Sequence, residues 1–395
     1  MEKTKIWLSP PHLCGKEEEY IQDAFKKNWI TTIGDNVNGF EKDLEDFLVE
    51  SGNNTTKKFA VALSSGTAAI HLALIQLGVG IGDEVLCQSF TFVASANPIT
   101  YLGAKPVFID SELDTWNISP IFLEQAIEDR IKVTGKKPKA IISVHLYGMP
   151  AKMDEIMAIS KKYEIPVLED AAESLGSEYC GKKCGTLGDL SIISFNGNKV
   201  ITTSGGGMLL SKSQKQIEKA RFLATQARDK ESYYQHSEIG YNYAMSNICA
   251  GIGRGQMTVL PQRVEQRRKN NAYYRKHLSN IPGIAFQTEP NADFYSNYWL
   301  TSILVDPEKT NGVTREDLRL ALEAANIESR PLWKPMHLQP VFADCPYYGD
   351  GTSEELFDKG LCLPSGSILT EEELEKVVRT IKFFRGKLKV ESGKW

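Results

Sequence analysis

Short apolar runs alternate with stretches that carry apolar residues at helical spacing between residues 59 and 224. Each run is too short for a helix and predicts a buried strand. Strands that alternate with helices in this way predict a mostly parallel α/β sheet that helices cover on both faces. The predicted strands are 59–63, 82–87, 105–110, 140–146, 166–170, 191–195 and 208–210.

The sequence on either side of this region is more mixed. A long charged helix at 261–278 looks like a connection between two domains, and 395 residues suffice for a large domain and a smaller one. We therefore expect a large domain at 1–260 and a smaller C-terminal α+β domain at 261–395. The other predicted helices are 17–28, 38–49, 68–77, 153–163, 214–224, 246–260, 315–325 and 371–385, a further helix is expected to open at 90–97, and one further strand is expected at 299–305.

Polar and aromatic residues gather where the predicted strands end. Ser64–Thr67, Phe92, His145, Asp170 and Lys199 all fall at or just after a strand end. In open α/β sheets, ligands lie in the crevice at the carboxyl ends of the strands. The sequence therefore predicts a ligand site at this edge of the sheet.

Lys199 lies between two predicted buried strands. It directly follows the tight turn at 196–198, and three glycines at 205–207 come just before the next strand. This stretch alone leaves two interpretations open. Lys199 is either a hairpin lysine that points into solvent, or an amine of lowered pKa in a partly dry pocket that condenses with an aldehyde.

Two neighbouring features favour the second interpretation. The turn Ser64–Thr67 precedes a helix, whose free N–H groups and dipole would attract an anion, although ordinary capping by Ser or Thr is an alternative. Asp170 closes a hydrophobic strand, and a buried carboxylate needs a partner such as a pyridinium nitrogen, unless it caps a helix or lies on the surface. With Phe92 as an aromatic wall and Lys199 as the amine, these residues describe a pyridoxal 5'-phosphate site.

Charge and cysteine content exclude other classes of protein. Lys and Arg number 46 against 50 Asp and Glu, a net charge of −4, so we expect no nucleic-acid partner. No apolar leader and no stretch long enough to span a bilayer is present, so we expect a cytoplasmic protein. Cys180 and Cys184 are the closest pair among seven cysteines and have no histidine ligands at matching distance, so we expect reduced thiols and no metal site.

Five motifs occur in an order that resembles the DegT/DnrJ/StrS-type sugar aminotransferases. The resemblance extends over nearly the whole chain and implies the aspartate-aminotransferase architecture of fold type I. It implies that Lys199 binds pyridoxal 5'-phosphate covalently and then moves protons, that Asp170 pairs with the pyridine nitrogen and that Phe92 stacks on the ring. The motifs are SSGTAAIH at 64–71, TFVASA at 91–96, EDAAE at 169–173, SFNGNK at 194–199 and GYNY at 240–243.

The same resemblance implies the rest of the cofactor site and a homodimer. Ser65, Gly66, Thr67 and Ser194 would hold the phosphate, joined by Asn242 from the neighbouring subunit.

Two positions depart from the family pattern. Glu173 stands where the family often has Gln, near the cofactor's 3′ oxygen, and we expect it to be protonated or otherwise neutralised. Ala244 stands where the family usually has Arg, which puts any role for a cation there in doubt.

The loop at 196–207 and the segment 330–337 resemble one subgroup of this family. That subgroup aminates the C4 ketone of UDP-2-acetamido-2,6-dideoxy-α-D-xylo-hexos-4-ulose with L-glutamate, on the pathway to UDP-bacillosamine and protein glycosylation. Its product is UDP-4-amino-4,6-dideoxy-N-acetyl-α-D-glucosamine. Arg330 and His337 are candidates for substrate binding through charge-assisted hydrogen bonds, although a structural role is equally open for His337.

Weaker candidates and alternatives complete the expectations. Trp29, Ile30 and Thr31 are candidates for sugar contact, or else form a surface connection, and His145 is best interpreted as a satisfied core histidine. A pyridoxal-dependent sugar dehydratase of the same fold is the nearest alternative, but those relatives replace the lysine with histidine. A non-catalytic regulator that binds nucleotide sugar or cofactor is compatible with the fold.

Overall fold

The computed structural model describes residues 5–49 and 58–391. Twelve helices lie within these ranges. They are α1 Lys16–Lys26, α2 Asp35–Leu48, α3 Gly66–Gln76, α4 Asn97–Tyr101, α5 Pro120–Thr134, α6 Met153–Tyr163, α7 Gln214–Ala224, α8 Asn247–Met257, α9 Leu260–Leu278, α10 Arg315–Ala324, α11 Thr352–Lys359 and α12 Glu371–Glu391.

The same ranges contain fifteen strands, several of them only two residues long. They are β1 Phe59–Leu63, β2 Glu84–Gln88, β3 Lys105–Ile109, β4 Ala140–Val144, β5 Val167–Asp170, β6 Glu178–Tyr179, β7 Lys182–Lys183, β8 Leu190–Ser194, β9 Gly207–Ser211, β10 Ile284–Phe286, β11 Phe294–Tyr295, β12 Thr301–Val305, β13 Arg330–Pro331, β14 Tyr347–Tyr348 and β15 Gly360–Leu363.

An eight-stranded sheet organises the molecule, in the order β1-β9-β8-β5-β4-β2-β3-β14. The six strands from β8 to β14 pair in parallel, as the alternating sequence pattern predicts. β9 is the exception, because it pairs antiparallel with both β8 and β1. Residues 195–206 join β8 to β9 without a crossover helix, which is the connection that an antiparallel pair allows. The mostly parallel α/β fold is therefore confirmed, and Lys199 lies in the loop that joins this antiparallel pair.

Helix α3 is fixed firmly against this sheet. Most of its apolar residues are buried, including Ala69, Leu72 and Leu74, none of which exposes measurable surface. Ser65 caps the helix, its Oγ accepting a hydrogen bond from the Ala68 amide at 3.0 Å. The start of the helix is thereby held next to the ends of β8 and β9.

A second, antiparallel sheet in the order β10-β12-β15-β13 lies in the C-terminal part of the chain. Its core is shared with α9, α10 and α12, and Ile6 from the N-terminal segment also packs into it. The chain then returns to the large sheet, because Phe342 packs edge-on against Phe108 and β14 pairs in parallel with β3. The division at residues 260 and 261 stays a prediction, and β14, although it follows residue 261, forms an edge of the large sheet.

Most predicted elements are present, with bounds shifted by a few residues. Several elements were not predicted, among them α5, α11, β15 and the short strands of the C-terminal part, and the predicted helix opening at 90–97 is a short 3-10 turn followed by α4. Across the described ranges, no helix combines the length and the apolar content that crossing a bilayer would need.

Candidate active site

The ends of β5 and β8, the start of α3 and two tryptophans enclose a cavity of about 400 Å³. Because β5 and β8 are parallel neighbours, their carboxyl ends bring Asp170 and Ser194 to the same edge. The residues that the sequence predicts here and that line the cavity are Ser65, Gly66, Thr67, Phe92, Asp170, Glu173, Ser194 and Lys199.

Lys199 presents its amine inside this cavity. Its Nζ lies 3.4 Å from Glu173 Oε1 and 4.0 Å from the centre of the Trp299 ring. The side chain is only 12% exposed. Of the two interpretations that the sequence left open, the geometry therefore favours an amine in a partly dry pocket.

Asp170 is a buried carboxylate at the end of β5. Ser95 Oγ donates a hydrogen bond to Oδ2 at 2.7 Å, and the Ala172 amide donates to Oδ1 at 3.1 Å. Burial raises the pKa of Asp170 above its ordinary value, although these hydrogen bonds oppose the shift. Among the described residues no cation forms an ion pair with it, so the carboxylate retains capacity for a cationic donor.

Glu173 lies beside Lys199 and is also buried. Its Oε2 accepts a 2.7 Å hydrogen bond from the Tyr147 amide. That contact depends on an unusual backbone conformation, since Tyr147 has φ of 55°. Burial raises the pKa of the Glu173 carboxyl, and the nearby Lys199 amine opposes the shift. The direction agrees with the expected neutralisation of Glu173, which stays a prediction.

The start of α3 forms a concave surface of backbone N–H groups. The amides of Gly66 and Thr67 belong to the first turn, where a helix offers no internal acceptor. A Cβ at Gly66 would lie 3.2 Å from Ser194 Cβ, and one at Gly207 would lie 2.3 Å from the Ser65 carbonyl carbon. Glycine at these positions lets the two strand ends approach the helix start closely enough to form a cradle for an anion.

An aromatic wall that the sequence analysis missed closes the cavity. The Tyr147 ring lies between Trp299 and Trp333 in a stack, with centroids 6.3 and 6.1 Å away. Phe92, which is 48% exposed, packs against Trp333 at 5.2 Å. The signals were present, because Trp299 opens a predicted strand and Trp333 lies inside the segment 330–337, but only the fold brings them together.

Arg330 lies outside this cavity in a neighbouring one. Its guanidinium pairs with Glu328 at 2.9 Å, and it lines a cavity of about 600 Å³. Asn198, Trp299 and Trp333 line both cavities and form the wall between them.

His337 is occupied by structural contacts. Its ring stacks on Tyr347 at 3.8 Å, and its nitrogens contact Ser89 Oγ at 2.7 Å and Glu354 Oε1 at 3.2 Å. It does not line the cavity that contains Lys199.

The other predicted contacts lie away from the cavity of this single chain. Trp29 and Thr31 each accept a hydrogen bond through their carbonyl oxygens from Asn247, and Ile30 between them is exposed. Asn242 is exposed and bridges to Thr225. The contribution of Asn242 across a subunit interface stays a prediction.

His145 has the features of a satisfied core histidine. It is fully buried, its Nδ1 accepts a hydrogen bond from the Ala151 amide, and its Nε2 lies 2.9 Å from Glu169 Oε1. Cys184 completes a compact group of possible metal ligands with these two residues. However, Glu169 already accepts hydrogen bonds from several protein donors, which leaves little capacity to bind an ion.

The cavity fits the cofactor that the sequence predicts. It combines a buried carboxylate without an ion-pair partner in the described chain, a partly buried amine and, at the start of α3, a cradle for a phosphate. These are the groups that a protonated pyridine nitrogen, an aldehyde and a phosphate ester need. Asp170 would pair with the pyridine nitrogen, and Lys199 would bind the aldehyde. The Ser65–Thr67 turn, with Ser194, would hold the phosphate.

Comparison with known proteins adds independent information. Residues 12–382 match the DegT/DnrJ/EryC1/StrS aminotransferase family. The chain is 52% identical over 381 residues to EpsN of Bacillus subtilis (strain 168), provisionally named a pyridoxal phosphate-dependent aminotransferase, with 95% of each chain covered. It is 35% identical over 374 residues to GDP-perosamine synthase of Escherichia coli O157:H7, with 95% of this chain and 97% of that protein covered.

Solved structures give the same result. The fold superimposes with a TM-score of 0.85 on the PLP form of Spr1654 of Streptococcus pneumoniae, provisionally named a sugar aminotransferase. The two share 26% sequence identity, with 97% of this chain and 99% of that chain covered. A DegT DnrJ EryC1 StrS aminotransferase of Brucella abortus gives a TM-score of 0.85 at 28% identity, with 94% and 95% covered.

Proposed function

The chain belongs to the DegT/DnrJ/EryC1/StrS aminotransferase family of pyridoxal phosphate-dependent sugar aminotransferases, and on that premise we propose its substrates. L-Glutamate donates the amino group. The C4 ketone of UDP-2-acetamido-2,6-dideoxy-α-D-xylo-hexos-4-ulose accepts it, giving UDP-4-amino-4,6-dideoxy-N-acetyl-α-D-glucosamine. That product would feed UDP-bacillosamine formation and protein glycosylation.

One observation carries the proposal: the amine of Lys199 lies inside the cavity that Asp170 and Glu173 also line. Pyridoxal 5'-phosphate supplies an aldehyde that can take up amino groups and a ring that spreads the electron pair released when a proton leaves. Lys199 Nζ would hold the cofactor and would move a proton to and from the reacting carbon. The Asp170 carboxylate would keep a proton on the ring nitrogen, because an anion at that position raises the nitrogen's pKa.

The other residues of the cavity would bind the phosphate and cover the ring of the cofactor. The amides of Gly66 and Thr67, with the hydroxyls of Ser65 and Ser194, would hold the phosphate at the helix start. Phe92, which lines the cavity, would pack against the ring. In a homodimer, Asn242 of the partner subunit would complete the phosphate site.

The neighbouring cavity suits the nucleotide part of the substrate. It adjoins the Lys199 cavity through the shared wall of Asn198, Trp299 and Trp333. Trp333 and Trp7 offer aromatic surface, and Arg330 offers a cation for a diphosphate. The sugar would occupy the cavity that contains Lys199, and the nucleotide would occupy the neighbouring cavity beside Arg330. His337, which is occupied elsewhere, is the weaker of the two substrate-binding candidates.

A GDP-linked 4-ketosugar is a second candidate substrate. The 35% identical relative from Escherichia coli is named GDP-perosamine synthase, which favours a guanine nucleotide. The loop at 196–207 and the segment 330–337 favour the UDP-linked N-acetyl sugar. A dehydratase is disfavoured because Lys199 occupies the position at which those relatives have histidine.

The test is amine transfer to a panel of UDP-, dTDP- and GDP-linked 4-ketosugars, read by mass spectrometry of the amino sugars formed. We expect the UDP-linked N-acetyl substrate to give the highest kcat/KM, and no turnover by Lys199→Ala. A clear preference for the GDP-linked sugar would overturn the proposed substrate. Bound cofactor without amine exchange between glutamate and 2-oxoglutarate would indicate a regulator instead.

A further inference from the structure

Arg267 is a fully buried cation on α9 with no carboxylate partner among the described residues. It is 1% exposed, and its four hydrogen-bond acceptors are all neutral oxygens. Its Nε has no hydrogen-bond partner in the described chain. Burial lowers the pKa of the guanidinium, and the neighbouring Arg263 adds to that shift. Since burying an unpaired charge is costly, its position calls for a specific role.

The acceptors of Arg267 lie in separate segments of the chain that meet behind Lys199. Nη1 donates to the carbonyl oxygens of Trp299 at 2.6 Å and Ser365 at 3.3 Å. Nη2 donates to Ser9 Oγ at 3.0 Å and to the carbonyl oxygen of Lys199 itself at 3.3 Å. The guanidinium therefore joins the N-terminal segment, the β8–β9 loop and the C-terminal sheet at one point.

The partners of Arg267 also contact one another. Ser9 Oγ and Trp299 Nε1 each donate a 2.7 Å hydrogen bond to the Asn198 carbonyl oxygen. The Trp299 ring in turn lies 4.0 Å from Lys199 Nζ. Arg267 therefore holds the Lys199 carbonyl directly. Through Ser9 and Trp299 it also orients the groups that bond to the Asn198 carbonyl, and the Trp299 ring lies beside the Lys199 amine.

We propose that Arg267 is a positioning residue that fixes the Lys199 backbone and the Trp299 ring, so that the Lys199 amine is held ready to attach the cofactor. The planar guanidinium reaches acceptors on both sides at once, which a single lysine ammonium on a flexible chain cannot do in the same geometry. The inference rests on the proposed role of Lys199 and adds a residue from outside the cavity.

Arg263 offers a matched control, one turn earlier on α9. It is 6% exposed, its Nε also has no hydrogen-bond partner among the described residues, and Nη2 donates to the carbonyl oxygens of His12 and Leu13 at 3.1 and 3.2 Å. It has no hydrogen bond to Lys199 or Trp299 in the described chain. Arg263→Met and Arg267→Met therefore remove similar buried cations, but only the second loses contact with the lysine loop.

The experiment measures how fast cofactor-free protein attaches pyridoxal 5'-phosphate at Lys199, by borohydride reduction at timed intervals and peptide mapping. We expect Arg267→Met to slow attachment by about tenfold or more, because small misplacements of a reacting group have effects of this size. Hydrogen exchange should rise in the peptide that covers 195–206. Arg263→Met should change neither readout, even if it lowers the melting temperature equally.

The outcomes separate the two proposals. If wild-type protein carries no adduct at Lys199, the proposed function fails. If wild type is labelled there and Arg267→Met is labelled equally fast, or Arg263→Met is slowed equally, the role of Arg267 is overturned. Should Arg267→Met not fold, Arg267→Lys retains the charge without the planar geometry, and attachment at the wild-type rate in that variant would overturn the inference as well.

Discussion

Two adjacent residues of β5 carry buried carboxylates with opposite properties. Glu169 accepts hydrogen bonds from His145, from the Ser191 hydroxyl and from the amides of Gly185, Leu187 and Gly188. Burial alone would raise its pKa, but these donors, His145 foremost, lower the pKa of Glu169 to about 2. Within the described ranges Asp170 accepts two hydrogen bonds, and burial raises its pKa.

We interpret the difference as that between a structural carboxylate, Glu169, and the proposed functional one, Asp170. Successive side chains of a strand point to opposite faces, so Glu169 and Asp170 meet different surroundings. Glu169 is satisfied within the protein and stabilises the fold as an anion. Asp170 is under-satisfied, and the proposed cofactor nitrogen would supply the missing donor. Burial alone does not distinguish them, whereas a count of donors does.

Asp170→Asn should give the largest effect on catalysis. The amide cannot hold a proton on a pyridine nitrogen electrostatically, so we expect kcat to fall by at least about a hundredfold. The melting temperature of the cofactor-free protein should stay equal or rise, because the substitution removes a buried charge that pairs with no cation in the described part of the chain. Steady-state kinetics measure the expected loss in kcat, and thermal unfolding measures the expected melting temperature. Near wild-type turnover would show that Asp170 does not perform the proposed role.

Glu169→Gln should instead affect stability. The glutamine NH2 group would face backbone N–H donors, and we expect a loss of about 3 kcal/mol in the free energy of unfolding. Urea unfolding at neutral pH measures this loss. Each folded molecule of the variant should keep most of its cofactor binding, and unchanged stability would contradict the structural role of Glu169.

The pH dependence of the unfolding free energy tests whether the ionised Glu169 carboxylate causes this loss of stability. Because the folded-state pKa of Glu169 is depressed from 4.5 to about 2, its contribution is present above pH 4.5 and is lost as the pH falls toward 2. The difference in unfolding free energy between wild type and Glu169→Gln should therefore shrink over this acidic range. A constant difference down to pH 2 would indicate that packing, and not ionisation, causes the loss.

Glu173→Gln should give the smallest effect. Glutamine can still accept the hydrogen bond from the Tyr147 amide, and it restores the residue that the family often has at this position. We expect kcat to change by less than about tenfold, or about 1.4 kcal/mol in barrier height. Glu173→Ala, which removes that hydrogen bond, should cost more. A hundredfold loss in Glu173→Gln would show that the carboxylate charge is required.

The residues that could be predicted from the sequence are those whose positions depend on local structure. Lys199, Asp170 and the Ser65–Thr67 turn follow directly from strand ends and a helix start, which short patterns reveal. Trp299, Trp333, Tyr147 and Arg267 could not be placed this way, because their roles depend on segments distant in the chain. Nothing in the stretch around Arg267 distinguishes it from the other cations of a charged helix, and only the fold shows that it is buried.

The segment that carries Arg330 and Trp333 is fixed at both ends, by β13 in the C-terminal sheet and by β14 at the far edge of the large sheet. Residues 332–346, which include Trp333, therefore form a segment that can be replaced as a unit between two fixed strands. Grafts that retain both strand pairings should alter which nucleotide sugar is accepted while leaving the lysine chemistry intact. A fragment that ends near residue 260 would lack this segment, and with it the Trp333 wall of the cavity.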